Sequence, residues 1–255
     1  MHADLKAAMV AKLLAMADDE LVLGHRDSEW CGHAPILEED IAFANIALDE
    51  IGHAILWYNL YTDLVGENRE TFPDKLVYER PASAYRSARI VELPKGDWAF
   101  SMTRQYLFDA YEMAMLDGLV ASQYPPLAEA AAKIRKEEIY HLRHTRAWVR
   151  RLGLGTDESH QRMQAALDTL WPAALQLFEP ADSEAGLIAA GYVPDPAGVR
   201  RAWEGQVREW LTGSGLALPP LSDTPYNSRD QHTEHLAALL DDLQQVTRQY
   251  PGLTW

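Results

Sequence analysis

Apolar residues recur every three to four positions along most of this chain. The repeats are rich in Ala, Leu, Glu and Met, and alternating β-branched strands are hard to find. The spacing predicts a first helix over about residues 3–24. A turn-rich segment, 26–35, follows with Asp27, Gly32 and Pro35 as breakers. A second helix fits 36–64, with Glu38, Glu39 and Asp40 well placed against the dipole of its first turn. A long connection, 65–96, carries Pro73, Pro81 and Pro94. The third helix opens at Asp97, a good N-cap, and runs to about 123. Pro125-Pro126 reads as a short turn before a fourth helix over 127–152. Further helices fit 156–178, bent at Pro172, then 195–211 and 230–249. A Pro-rich stretch, 216–225, separates the last two.

The connections run short, long, short. Two antiparallel hairpins joined by one long crossover make a ferritin-like bundle. The expected fold is therefore all-α: a ferritin-like four-helix bundle with one long crossover and additional C-terminal helices. It is read as a single domain over 1–255, with a four-helix core at 1–152 and a helical extension at 153–255.

Composition narrows the function classes. The chain has 255 residues and a formal net charge of −15. That charge argues against nucleic acid or an anionic membrane surface as partner, because both call for a basic face. The single cysteine, Cys31, excludes an internal disulfide and a cysteine-cluster metal site. No apolar run reaches the roughly 20 residues of a membrane span, and the N-terminus lacks a signal-peptide pattern. A cytoplasmic location is expected.

Two Glu-x-x-His motifs carry candidate chemistry. They are Glu50-Ile51-Gly52-His53 in the second helix and Glu138-Ile139-Tyr140-His141 in the fourth. Three residues apart, Glu and His share a helix face. Chance alone supplies roughly one such pair in a chain of this composition, so position matters more than number. Both motifs sit mid-helix, each on the second helix of a hairpin. Ferritin-like carboxylate proteins add one carboxylate from each remaining helix. The first helix offers Glu20, 30 residues before Glu50. The third offers Asp109, 29 residues before Glu138, with Glu112 as the alternative one turn away. Near-equal intervals favour Asp109. The expected ligands are Glu20, Glu50, His53, Asp109, Glu138 and His141. Four carboxylates balance two divalent ions, whereas four bare carboxylates in a core cost several kcal/mol each. Oxygen-rich ligation with two imidazoles suits iron or manganese. The bland alternative is a set of surface or salt-bridged side chains, with Arg135 the one cation near Glu138.

Longer segments carry a resemblance. Ser28-Glu29-Trp30-Cys31-Gly32-His33-Ala34-Pro35, Leu37-Glu38-Glu39-Asp40-Ile41-Ala42 and Ala44-Asn45-Ile46-Ala47-Leu48-Asp49 resemble the phenylacetic acid catabolic protein family. So do Tyr140-His141-Leu142-Arg143-His144, Trp148-Val149-Arg150-Arg151-Leu152-Gly153 and Leu170-Trp171-Pro172. The tail is similar too, through His232-Thr233-Glu234-His235-Leu236, Gln244 and Tyr250-Pro251-Gly252-Leu253-Thr254-Trp255. The likeness covers nearly the whole chain and leans toward the smaller, PaaC-type ferritin-like subunits of phenylacetyl-CoA epoxidase.

The resemblance implies a subunit of a multicomponent monooxygenase that epoxidises the ring of phenylacetyl-CoA during phenylacetate degradation. It implies a di-iron centre, a homologous ferritin-like partner subunit in a homo- or hetero-oligomer, and a flavin and iron–sulfur reductase. In that family the smaller subunit is a scaffold that has lost ligands around the helix 2 motif. Here Glu50, His53, Glu138 and His141 are all present. Two readings stay open: a chain that binds metal itself, and a non-catalytic scaffold paired with a catalytic homologue. A ferritin-like storage or oxidative-stress protein is a third. No phosphate-cradling motif marks a CoA site.

Overall fold

A computed structural model describes residues 1–180, 184–220 and 228–253. Among these, every regular element is helical. The first hairpin pairs α1 (Ala3–Ser28) with α2 (Leu37–Val65). α1 passes through Gly24, where the sequence pattern suggested a stop. Gly24 instead lets α2 approach: a Cβ there would lie 3.0 Å from the Ala47 carbonyl oxygen and 3.0 Å from Glu50 Cβ. α2 ends at Gly66, whose φ of 84° is the left-handed cap that favours glycine.

The crossover is less irregular than its prolines suggested. It holds α3 (Phe72–Tyr78), a 3₁₀ turn at Ala82–Ala84 and α4 (Arg89–Glu92). The second hairpin pairs α5 (Trp98–Leu119) with α6 (Pro125–Gly153). The Asp97 side chain accepts from the Phe100 N–H, as an N-cap should. Pro125-Pro126 is not a turn before α6 but its start. Proline is tolerated there because the first N–H groups of a helix have no intrahelical partner.

α7 (Asp157–Ala174) opens with a capping box between Thr156 and Ser159. It contains Pro172 and tightens into a 3₁₀ turn at Leu175–Phe178. The short α8 (Glu184–Ala189) was not anticipated. α9 (Pro196–Gly213) follows, then α10 (Glu234–Leu243) and α11 (Gln245–Gln249). α10 starts later than residue 230, and residues 221–225 of the Pro-rich stretch lie outside the described residues.

One buried apolar cluster extends from Ala8 in α1 to Leu240 in α10. Trp203 of α9 is fully buried, donates Nε1–H to the Leu107 carbonyl at 3.0 Å and stacks on Trp171. The late helices are thus part of the core that supports α5. The C-terminal segment also ties the crossover to α1. Arg229 pairs with buried Asp19 at 2.7 Å, and Glu92 accepts from Thr233 N–H and faces His232 Nδ1 at 2.6 Å.

Candidate metal centre

Each long helix of the two hairpins places at least one ionisable side chain in the bundle interior. Glu20 comes from α1, Glu50 and His53 from α2, Asp109 and Glu112 from α5, and Glu138 and His141 from α6. All seven are buried. The pairing of Asp49 with His141 and of His53 with Glu137 shows that α2 and α6 run antiparallel side by side.

Six of the seven converge. Single ligand atoms of Glu20, Glu50, His53 and Glu112 all lie within 4.8 Å of one another. Glu50, Glu138 and His141 form a second such group, and Glu50 belongs to both. His53 Nδ1 faces Glu50 at 3.6 Å, Glu20 at 3.7 Å and Glu138 at 3.8 Å. His141 Nδ1 faces Glu138 at 2.5 Å and Glu50 at 3.6 Å. The two imidazole rings stand 5.9 Å apart.

Asp109 is not in either group. Both its oxygens are engaged, by Gln105 Nε2 at 2.9 Å and by the Thr145 hydroxyl at 2.7 Å. The same Gln105 amide donates to Glu50 at 2.7 Å. Glu112, one turn further along α5, reaches the cluster instead. The equal-interval argument assumed that both hairpins sit at the same height in the bundle. Arg135 points away and pairs with Asp117 near the surface.

The outer edges of both histidines repeat one arrangement. His53 Nε2 meets Glu137 at 2.9 Å and His141 Nε2 meets Asp49 at 3.2 Å. Each carboxylate directly precedes the Glu of the opposite motif. Such partners fix the ring orientation and leave Nδ1 facing inward. The doublets Asp49-Glu50 and Glu137-Glu138 were visible in the sequence, but their crossing between helices was not. Gln105 and Thr145 carried no sequence signal at all.

The electrostatics show what the cluster lacks. Burial, then the nearby Glu112, pushes Glu20 well above the usual carboxylate range. Burial and Glu138 push Glu112 up to about 8, and burial together with Glu50 pushes Glu138 to about 7. Burial also tends to raise Glu50, but His141 and His53 outweigh it and hold that carboxyl low. Burial opposes protonation of His53, yet Glu50 and Glu112 carry it to about 9. Protons therefore stand where positive charge is needed. Four buried carboxylate oxygens of the cluster, Glu20 Oε2, Glu50 Oε2, Glu112 Oε2 and Glu138 Oε2, have no hydrogen-bond partner, and the inward Nδ1 atoms of His53 and His141 face only carboxylates. Orphaned buried polar atoms are rare and costly, and here they face one space. An apolar recess formed by Met16, Trp57, Phe108, Tyr111, Met115 and Leu116 adjoins Glu20 and Glu112.

The arrangement defines a class: a helical bundle whose two hairpins enclose a buried carboxylate–histidine cluster able to hold cations. Residues 1–255 match the family described as phenylacetic acid catabolic protein. The chain belongs to that family. It is 38% identical over 250 residues to the C component of the 1,2-phenylacetyl-CoA epoxidase of Escherichia coli (strain K12), covering 97% of this chain and 99% of the relative. It is 26% identical over 177 residues to the A component of the same enzyme, covering 69% of this chain and 56% of that relative. No helix among the described residues is long and apolar enough to cross a membrane.

Proposed function

We propose that this chain is a ferritin-like subunit of a phenylacetyl-CoA epoxidase-type complex and holds a pair of metal ions itself. The observation that carries this reading is the convergence of six buried carboxylate and imidazole side chains in two groups that share Glu50. The ligands are Glu20, Glu50, His53, Glu112, Glu138 and His141. Glu112 replaces Asp109 in the set, because Gln105 and Thr145 already occupy both Asp109 oxygens. Glu50 belongs to both groups and would be shared between the two ions. The donor set suits iron, with manganese the alternative.

A pair of reduced irons supplies dioxygen activation when bound. The chain's own side chains do the rest. Asp49 and Glu137 hold the imidazoles in orientation. Gln105 holds Glu50 and Asp109 together. Trp57, Phe108 and Met115 form apolar walls on the Glu20–Glu112 side of the cluster. A flavin and iron–sulfur reductase supplies electrons, and phenylacetyl-CoA is the substrate.

Metal analysis of the chain after anaerobic ferrous reconstitution tests the reading. About two ions per chain are expected, and none in Glu50→Ala at unchanged helical content. Equal metal in that variant and the parent sinks it.

The full-length likeness to the C component of the epoxidase favours one second reading: a scaffold paired with a catalytic homologue. Under that reading, Glu50→Ala leaves turnover of the reconstituted complex unchanged. Under the first, turnover collapses while assembly persists.

A further inference from the structure

α1 and α5 line one seam of the bundle with residues at helical spacing. Lys12, Met16 and Glu20 follow one face of α1, and Phe108, Tyr111 and Met115 follow one face of α5. Two recesses lie end to end in this seam. The inner one adjoins Glu20 and Glu112, and every side chain that lines it is buried. The outer one is bounded by Lys12, Leu177, Phe178 and Val199. Its rim at Glu179, Pro194 and Pro196 is half-buried, so it leads toward the surface. Tyr111 and Met115 line both recesses and are therefore the partition between them. From Lys12 to Glu20 the seam covers about 12 Å at 1.5 Å per residue.

Size and polarity decide what can occupy it. The inner recess has a free volume of about 20 Å³ and the outer one about 10 Å³. A single water needs roughly 10–15 Å³ and two to four polar partners. An aromatic ring is far too large for either recess, and water is poorly served. Met16, Trp57, Phe108, Met115 and Leu116 wall most of the inner recess. Its carboxylates lie at the cluster end, and of these Asp19 is already held by Arg229 and the Ala88 N–H. Lys12, the cation beside the outer recess, is paired with Glu184 at 2.8 Å. A small apolar molecule loses no hydrogen bonds on entering such a space and gains dispersion contacts with its walls.

The two halves of the partition differ in freedom. The Tyr111 ring is set edge-on against Phe178 at 5.4 Å and lies 6.0 Å from Phe108, which fixes it. Met115 is unbranched with three rotatable bonds, so it can swing aside without disturbing the helix.

We propose that the α1–α5 seam is a binding route for a small apolar gas, dioxygen, running from the Pro194–Pro196 rim past Met115 to the Glu20–Glu112 side of the cluster. Its use rests on the metal pair proposed above, whereas the route itself is a property of the metal-free chain.

Xenon, an apolar atom that settles in dry cavities, is the probe. Crystals of the metal-free full chain under xenon pressure should show the gas on both sides of Met115. Met115→Phe should empty the inner recess, and Val199→Leu the outer one, with the fold unchanged in the same crystals. Met115→Ala should raise occupancy. In parent protein loaded with ferrous ion, Met115→Phe and Val199→Leu should each slow oxidation by dissolved dioxygen severalfold at equal metal content. Ordered water in place of xenon, or xenon in neither recess, overturns the proposal. So does an unchanged oxidation rate in variants whose recesses are seen to be filled. If the chain takes up no metal, the proposed function fails, and the xenon positions still decide the route.

Discussion

At the residue scale, the cluster is governed by what surrounds each ligand. His53 and His141 are each clamped by a carboxylate from the opposite helix. Removing that carboxylate's charge frees the ring and lowers its basicity. Asp49→Asn and Glu137→Gln should each weaken metal binding by about 10- to 100-fold without unfolding the bundle. Competition with a chelator of known affinity measures it. The same residues set a pH dependence. Glu112 at about 8 and Glu138 at about 7 bind protons more tightly in the folded chain than in the unfolded one. Their contribution to stability is complete below their ordinary carboxylate range. It is lost as pH rises through about 7 to 8. His53, raised to about 9, acts in the same direction at higher pH. Metal-free protein should melt at a lower temperature at pH 8.5 than at pH 5.5. Bound metal should reverse the order, since metal displaces those protons and binds better as they leave. A melting series with and without ferrous ion checks both signs.

At the element scale, close approach of helices decides the geometry. Gly24 is the contact point of α1 and α2, and the atoms it would strike are a backbone oxygen and Glu50 Cβ. Alanine there gains helix propensity, about 1 kcal/mol, but separates the hairpin at the turn that carries Glu50 and His53. Overpacking of this kind costs about 1–3 kcal/mol. Gly24→Ala should therefore destabilise and reduce metal loading together. Gly205→Ala is the contrast. That position lies in α9 with nothing within 4 Å of a new Cβ, so the propensity gain of about 0.5–1 kcal/mol should stand alone. Chemical denaturation of both variants separates the two effects. The axial height of α5 is a similar matter. Asp109 and Glu112 differ by one turn on nearly the same face, and the height of α5 puts Glu112 rather than Asp109 beside Glu20 and His53.

At the scale of the whole molecule, the helices after α6 are structural partners of the bundle. Trp203 fills the space between α5 and the 3₁₀ turn, touching Trp171 and Phe178. Trp203→Ala should cost about 3–5 kcal/mol, read as a lowered denaturation midpoint. The C-terminal segment adds polar ties, with Arg229 on Asp19 and Gln244 donating to the Val77 and Arg80 carbonyls.

Much of this was legible in the sequence because it depends on local chemistry. Apolar periodicity, the Asp97 cap and the uneven connections together determine an all-α fold with two hairpins and a crossover. The two Glu-x-x-His motifs determine which helix faces turn inward, since three residues always share a face. Gly24 within α1 and the prolines opening α6 were misread, because both residues normally punctuate helices and only packing or helix position reverses that. The third dimension decided the rest. Whether Asp109 or Glu112 joins Glu20 depends on the height of α5, a quantity no spacing encodes. That Thr145 joins Gln105 on Asp109 follows only once α5 packs on α6, and that Glu137 holds His53 and Asp49 holds His141 only once α2 and α6 lie antiparallel. A sequence specifies what each helix face offers. The packing of helices against one another decides which offers meet.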